Sequence, residues 1–237
     1  MLQIDLHIHS INSYHAYGTF YDIVKEAKAK KMKMIAITDH GLGDPNHFGR
    51  HHFTMGRRSP KIKGLKVLWG CESNPINENG DLDINEEDAK KLDVLLMGVH
   101  ADQTKNLGYE KNTELVLKAL DNPKIKIYTH PYGARGLSLD WEKTVQKALE
   151  KNILLEINLS QLVPTKYDPT LLERIKKMVQ MAKAAGKKVI VNSDAHFIHE
   201  IGDDSNLKKY AKEIGLTKEM IINNYPKELE KILELKK

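Results

Sequence analysis

The sequence predicts an α/β fold in which seven parallel strands close into a barrel of βα units, and three observations carry that expectation. Short β-rich runs alternate with longer amphipathic runs along the 237 residues, as in repeated βα units. The β-rich runs are almost continuously apolar, the pattern of strands covered on both faces of a parallel sheet. Nearly every run also ends in a residue type that binds metals. An open sheet spreads its strand ends along a line, whereas a barrel gathers them at one mouth.

The expected strands span 3–9, 34–38, 66–70, 94–98, 125–129, 153–158 and 188–192. In the first, Asp5-Leu6-His7-Ile8-His9, period-2 geometry sets both histidines on one face and Ile4, Leu6 and Ile8 on the other. Asp39-His40 follows the second strand, Glu72 the third, His100 the fourth and His130 the fifth; Glu156 and Asn158 end the sixth, and Asp194 and His196 follow the seventh. Helices are expected over 19–31, 86–91, 109–120, 140–151 and 169–185, the last stopped by Gly186. Three more follow over 207–214, 217–223 and 226–235, with Thr217 as an N-cap and Pro226 in a first turn. Lacking an eighth strand, the barrel is irregular. No repeat, linker or low-complexity stretch divides the chain, so 1–237 is expected to form one domain.

Composition narrows the function classes. No apolar run is long enough to span a bilayer, and 8 Pro with 15 Gly exclude a collagen-like chain. The net charge of +5 comes from 37 basic and 32 acidic residues interspersed along the chain, which reads as a solvated surface rather than a nucleic-acid track. Lys61 and Lys63 with Arg57 and Arg58 form the one local basic patch, read as plain surface. The single cysteine, Cys71, removes a disulfide framework and reads as a small buried side chain; the opening MLQIDLHIHS lacks signal-peptide character, so a cytoplasmic location is expected.

A lone histidine at a strand end is usually satisfied by ordinary hydrogen bonds, but here five strand ends of seven carry one. Imidazoles and carboxylates without a thiolate cluster suit Zn²⁺, Mn²⁺ or Fe²⁺ better than Ca²⁺ or Mg²⁺. Other machinery is absent: there is no G-x-S-x-G elbow, phosphate-binding glycine loop, H-E-x-x-H helix or C-x-x-C pair.

Together Asp5-Leu6-His7-Ile8-His9-Ser10, His15, Thr38-Asp39-His40-Gly41, Glu72, His100, Thr129-His130-Pro131 and Asp194-Ala195-His196 resemble the PHP family, the polymerase and histidinol phosphatase domains, and within it the compact bacterial phosphatases. The resemblance implies a distorted (β/α)7 TIM-like barrel holding three divalent transition-metal ions, zinc first, with manganese or iron as alternatives. It implies that His7, His9, Glu72 and Asp194 hold one ion, His15, His40 and His196 a second, and His100 and His130 a third to which Glu72 bridges. Glu72, Asp194 and His196 are also expected to act in catalysis. Three divalent ions against two ligating carboxylates leave a strongly electropositive site, suited to a small phosphorylated substrate attacked by a metal-bound hydroxide. The alternatives are a phosphodiesterase or exonuclease using the same metals, and a non-catalytic metal-binding module. A membrane is not an expected partner, nor is nucleic acid.

Around this set, Asp39 either orients an imidazole or caps its loop, and Glu156 and Asn158 orient water or a ligand. Arg57, Arg135 and His52 read first as surface residues, with reach to a phosphate as the alternative. His47 and His199 fall outside the ligand pattern.

Overall fold

In the computed structural model, which describes residues 1–44, 49–133, 137–163 and 168–235, seven parallel strands form one sheet in sequence order. They are β1 (Ile4–Ile8), β2 (Met34–Ile37), β3 (Lys66–Ser73), β4 (Val94–Met97), β5 (Ile125–Tyr128), β6 (Leu154–Asn158) and β7 (Ile190–Asn192). The sheet nearly closes. At the seam Ile8 pairs with Ala195, and His9 N–H donates to the Ala195 carbonyl over 2.9 Å. Side chains stitch the rest: Asn192 Oδ1 accepts from Leu6 N–H at 2.9 Å, and Asp5 Oδ1 from Ser193 N–H at 3.1 Å. The expected (β/α)7 barrel is thus the observed fold.

Helices α1 (Phe20–Ala29), α2 (His51–Met55), α3 (Glu86–Ala89), α4 (Tyr109–Ala119), α5 (Trp141–Glu150), α6 (Leu171–Ala184), α7 (Ser205–Tyr210) and α8 (Pro226–Ile232) complete the fold. Thr19 caps α1 through a reciprocal box in which Asp22 N–H donates to Thr19 Oγ1 and Thr19 N–H donates back to Asp22 Oδ2. Ile23, Val24 and Ala27 then face the core. Gly186, at φ +65°, follows α6 as the expected stop. Among the described residues, no helix is long and apolar enough to cross a membrane.

Two layers of core separate cleanly. Ile4, Leu6, Met34, Ala36, Leu68, Leu96, Ile127, Leu154 and Ile190 meet inside the barrel, where Leu229 and Leu233 close the floor. Leu95, Met97, Tyr128, Leu155 and Ile157 pack outward against the helices. Ile8 belongs to the outer layer, with Ile23 and Ile35, not with Ile4 and Leu6. This corrects the regular alternation expected of β1. Asp5 pairs with Ile35 and Ile8 with Ile37, so three steps of β1 oppose two of β2, a bulge that reverses the alternation. Leu6 can fill the floor while His7 and His9 still turn inward above it.

Three other expectations are revised. β3 runs on to Ser73, so Glu72 lies within the strand rather than after it, its N–H donating to the Asp39 carbonyl at 3.1 Å. The helix expected over 217–223 is two 3-10 turns, Lys218–Met220 and Ile222–Asn224, and Thr217 makes no side-chain cap. Long-range pairing overrides helix propensity there: Val189 bonds through its backbone to Met220 and Ile222, and Asn223 Oδ1 accepts from Val191 N–H. The segment after β2, for which the sequence predicts no helix, contains α2, too short to show periodicity.

Candidate metal centre

The strand ends converge at the C-terminal mouth. His7 Nε2 lies 3.0 Å from His9 Nε2, 3.2 Å from Glu72 Oε2 and 3.4 Å from Asp194 Oδ1. His9 Nε2 lies 3.5 Å from Glu72 Oε2 and 3.2 Å from Asp194 Oδ1. Ligands about 2.0–2.1 Å from a tetrahedral ion stand about 3.3 Å apart, so this spacing suits a cation between them. Glu72 faces two ways. Its Oε2 is 3.2 Å from His40 Nδ1, while Oε1 is 3.0 Å from His130 Nε2 and 3.8 Å from His100 Nε2. His15 Nε2 and His196 Nε2 approach to 2.7 Å, and the His15 ring stacks on those of His40 and His196. All nine expected ligand residues therefore meet at one mouth.

The grouping around the second position is wider than expected. His9 as well as His15 stands with His40 and His196, and Asp44 joins His15 and His40 with ligand atoms all within 4.8 Å. Asp44, 1% exposed, escaped the sequence reading because nothing in Gly43-Asp44-Pro45 sets it apart from a turn aspartate. The Nδ1 atoms of His15 and His40 are buried and make no hydrogen bond. Buried polar atoms of this kind, beside carboxylates and imidazoles, fit a site for cations.

Several rings are oriented from behind. His7 Nδ1 donates to Glu156 Oε1 at 2.9 Å, His100 Nδ1 to Asn74 Oδ1 at 2.8 Å, and His196 Nδ1 to the Asp194 carbonyl at 3.0 Å. Each bond leaves Nε2 toward the mouth. Glu156 also accepts from His130 N–H and Asn192, and Asn158 donates to Asp194 Oδ2 at 3.0 Å, so both orient ligand residues. His130 and Asp194 hold left-handed backbone, φ +32° and +55°, the kind of strain that collects where side chains must be aimed.

The electrostatics favour positive charge here. Burial works to raise the Glu72 carboxyl, but His7, His100, His130 and His40 outweigh it and hold it well below the usual range. Asp194 is likewise held low, against burial, by His7 and His9. Burial depresses His7, yet Glu72, Glu156 and Asp194 push it well above its ordinary value. Burial and neighbouring imidazoles lower His9 to about 3; burial is also the main cause that lowers His100, to about 4.

Gly98 makes room for this arrangement. A Cβ there would stand 2.7 Å from both Glu72 Oε1 and His100 Cε1. Gly98→Ala is expected to cut metal affinity about 10–100-fold, the usual cost of disturbing ligand orientation. Metal analysis of dialysed protein checks this, with an unchanged far-UV spectrum as the folding control.

Of the surrounding candidates, Asp39 is buried and accepts from Ser10, and His52 Nε2 lies 2.8 Å from it; His52 thus reaches inward instead of lying on the surface. His199 is exposed, Cys71 is buried, and Arg58, Lys61 and Lys63 are exposed. His47 and Arg135 lie outside the described residues, as does the Arg57 side chain.

Fold and mouth define a (β/α)7 barrel that assembles imidazoles and carboxylates from many strand ends at one site. The chain belongs to the PHP family: the model described as "PHP domain" matches residues 5–160. It is 37% identical over 236 residues to a probable phosphatase of Clostridium botulinum, covering 98% of this chain and 95% of the relative. It is 33% identical over 229 residues to a probable phosphatase of Shewanella frigidimarina, covering 95% and 90%. Among solved structures, histidinol phosphate phosphatase of Lactococcus lactis, complexed with zinc, L-histidinol and phosphate, is similar with TM-score 0.55 and 17% identity, covering 90% of this chain and 94% of that one. A chain of an archaeal ribonuclease P with mature tRNA is similar with TM-score 0.62 and 15% identity, covering 98% and 90%. At these identities the structural likeness concerns the fold alone.

Proposed function

We propose that this chain is a metal-dependent phosphatase that hydrolyses small phosphomonoesters with three divalent transition-metal ions. Zinc is the first choice, with manganese or iron as alternatives. The observation that carries the reading is Glu72, whose Oε2 faces His7, His9 and His40 while its Oε1 faces His130 and His100. The relatives named as phosphatases support the same reading.

In it, His7, His9, Glu72 and Asp194 hold one ion, His15, His40 and His196 a second, and His100, His130 and Glu72 a third. Bound ions polarise phosphoryl oxygens and make water a nucleophile near neutral pH. Glu72 and Asp194 partly neutralise that charge and fix its position, leaving an excess that attracts a monoester dianion. Glu72, Asp194 and His196 are the residues assigned to turnover. A cytoplasmic setting goes with this reading.

The test compares kcat/KM of one metal-loaded preparation for a chromogenic monoester, a chromogenic diester and single-stranded DNA. A monoester has three non-bridging oxygens to share among the ions and a diester two, so the monoester is expected to be fastest by about 10²-fold or more. A preference for DNA would support the nuclease alternative, and no turnover of any substrate would support the non-catalytic one.

A further inference from the structure

One residue between the metal-facing histidines has no role so far. Ser13 is 1% exposed and sits in the turn after β1, where its hydroxyl meets three partners. Asp39 Oδ1 lies 2.7 Å away, His9 Nδ1 2.9 Å, and the backbone N of His40 3.1 Å. A hydroxyl has one proton and two lone pairs. The Asp39 carboxylate accepts only, and it is also bound by Ser10 N–H and Ser10 Oγ–H, each at 2.7 Å. It therefore takes the Ser13 proton. The His40 N–H is an obligatory donor and occupies one lone pair. The other is open only to a donor, which makes His9 Nδ1 an N–H.

We infer that Ser13, held by Asp39, is a positioning residue that fixes His9 as the Nδ1–H tautomer and leaves Nε2 as its metal-facing donor. The inference rests on the metal-dependent reading above. Because the same hydroxyl holds the His40 backbone, Ser13 ties the first position to the second. His52 Nε2, 2.8 Å from Asp39 Oδ2, brings α2 to the same carboxylate.

The experiment uses the zinc-loaded protein labelled with ¹⁵N-histidine. Long-range ¹H–¹⁵N spectra distinguish a histidine metallated at Nε2 from one metallated at Nδ1, and zinc release to a competing chelator gives affinity. Wild type is expected to show His9 bound through Nε2 with a slowly exchanging Nδ1 proton. Ser13→Ala should lose that protected proton and release zinc about 10–100-fold more readily. Ser13→Thr, which keeps the hydroxyl, should restore both and controls for misfolding. Wild type with His9 metallated at Nδ1 overturns the inference, as does a Ser13→Ala protein with unchanged His9 signals and zinc affinity. A wild-type chain that takes up no zinc overturns the metal reading itself, a distinguishable result that removes this inference with it.

Discussion

Glu72→Gln is expected to lower kcat/KM for a monoester by about 10³-fold, about 4 kcal/mol of transition-state stabilisation. The substitution keeps size and removes the charge. His7, His9 and His40 lie 3.2–3.5 Å from one carboxylate oxygen and His130 3.0 Å from the other, so this one carboxylate stands among four of the proposed ligands. A neutral amide also turns one of those faces into a donor. Metal content should fall with the rate, from about three equivalents toward one, since Glu72 is assigned to two ions. Elemental analysis beside steady-state kinetics checks both. Activity and occupancy near wild type would remove Glu72 as the bridge, and His199→Ala, an exposed residue, should change neither.

Metal removal should be as severe: a strong chelator is expected to abolish turnover, with zinc or manganese restoring it. The folded chain should also melt at lower temperature afterwards, because ions bound only by the native state stabilise it. Acid should act through the same competition, and the sign follows from the directions of the shifts. His7, His40 and His130 are raised above 6.5 by facing carboxylates against the effect of burial, so protons challenge the ions there first as pH falls. His9, at about 3, and His100, at about 4, stay neutral far longer. Zinc release should therefore begin near neutrality rather than in the carboxylate range. Release followed with a zinc indicator across pH measures it, and retention of all zinc to pH 4 would contradict the assignment.

What the sequence made legible was chemistry at strand ends. His7 and His9 lie at the end of the first apolar run, and His40, His100, His130, Asp194 and His196 follow runs that end within a residue or two of the observed strands; a parallel barrel does the rest. Less legible was whatever depends on distant partners. The β1 bulge is a relation between Asp5–Ile8 and Ile35–Ile37, invisible in either segment alone. Asp44 and Ser13 are ordinary turn residues until His15, His40 and Asp39 arrive from elsewhere. The 217–223 segment has helical composition, yet backbone bonds to Val189 set its path.

The bulge in β1 also works as a phase shifter between two otherwise independent demands on one strand. Below it, Ile4 and Leu6 answer to the volume of the barrel floor; above it, His7 and His9 answer to ligand distances. A perfectly alternating strand would lock the two together, so that any slip correcting one would invert the other. With the extra residue in place, Leu6 and His7, adjacent in sequence, both face inward, and hydrophobic drift at positions 4 and 6 leaves the imidazoles in step, whereas inserting one more residue between 6 and 7 would either turn His7 and His9 to the opposite side of the wall or displace them along β2. Point substitutions on the floor should therefore be far better tolerated than a one-residue insertion between 6 and 7, an asymmetry that a mutational scan containing both would expose.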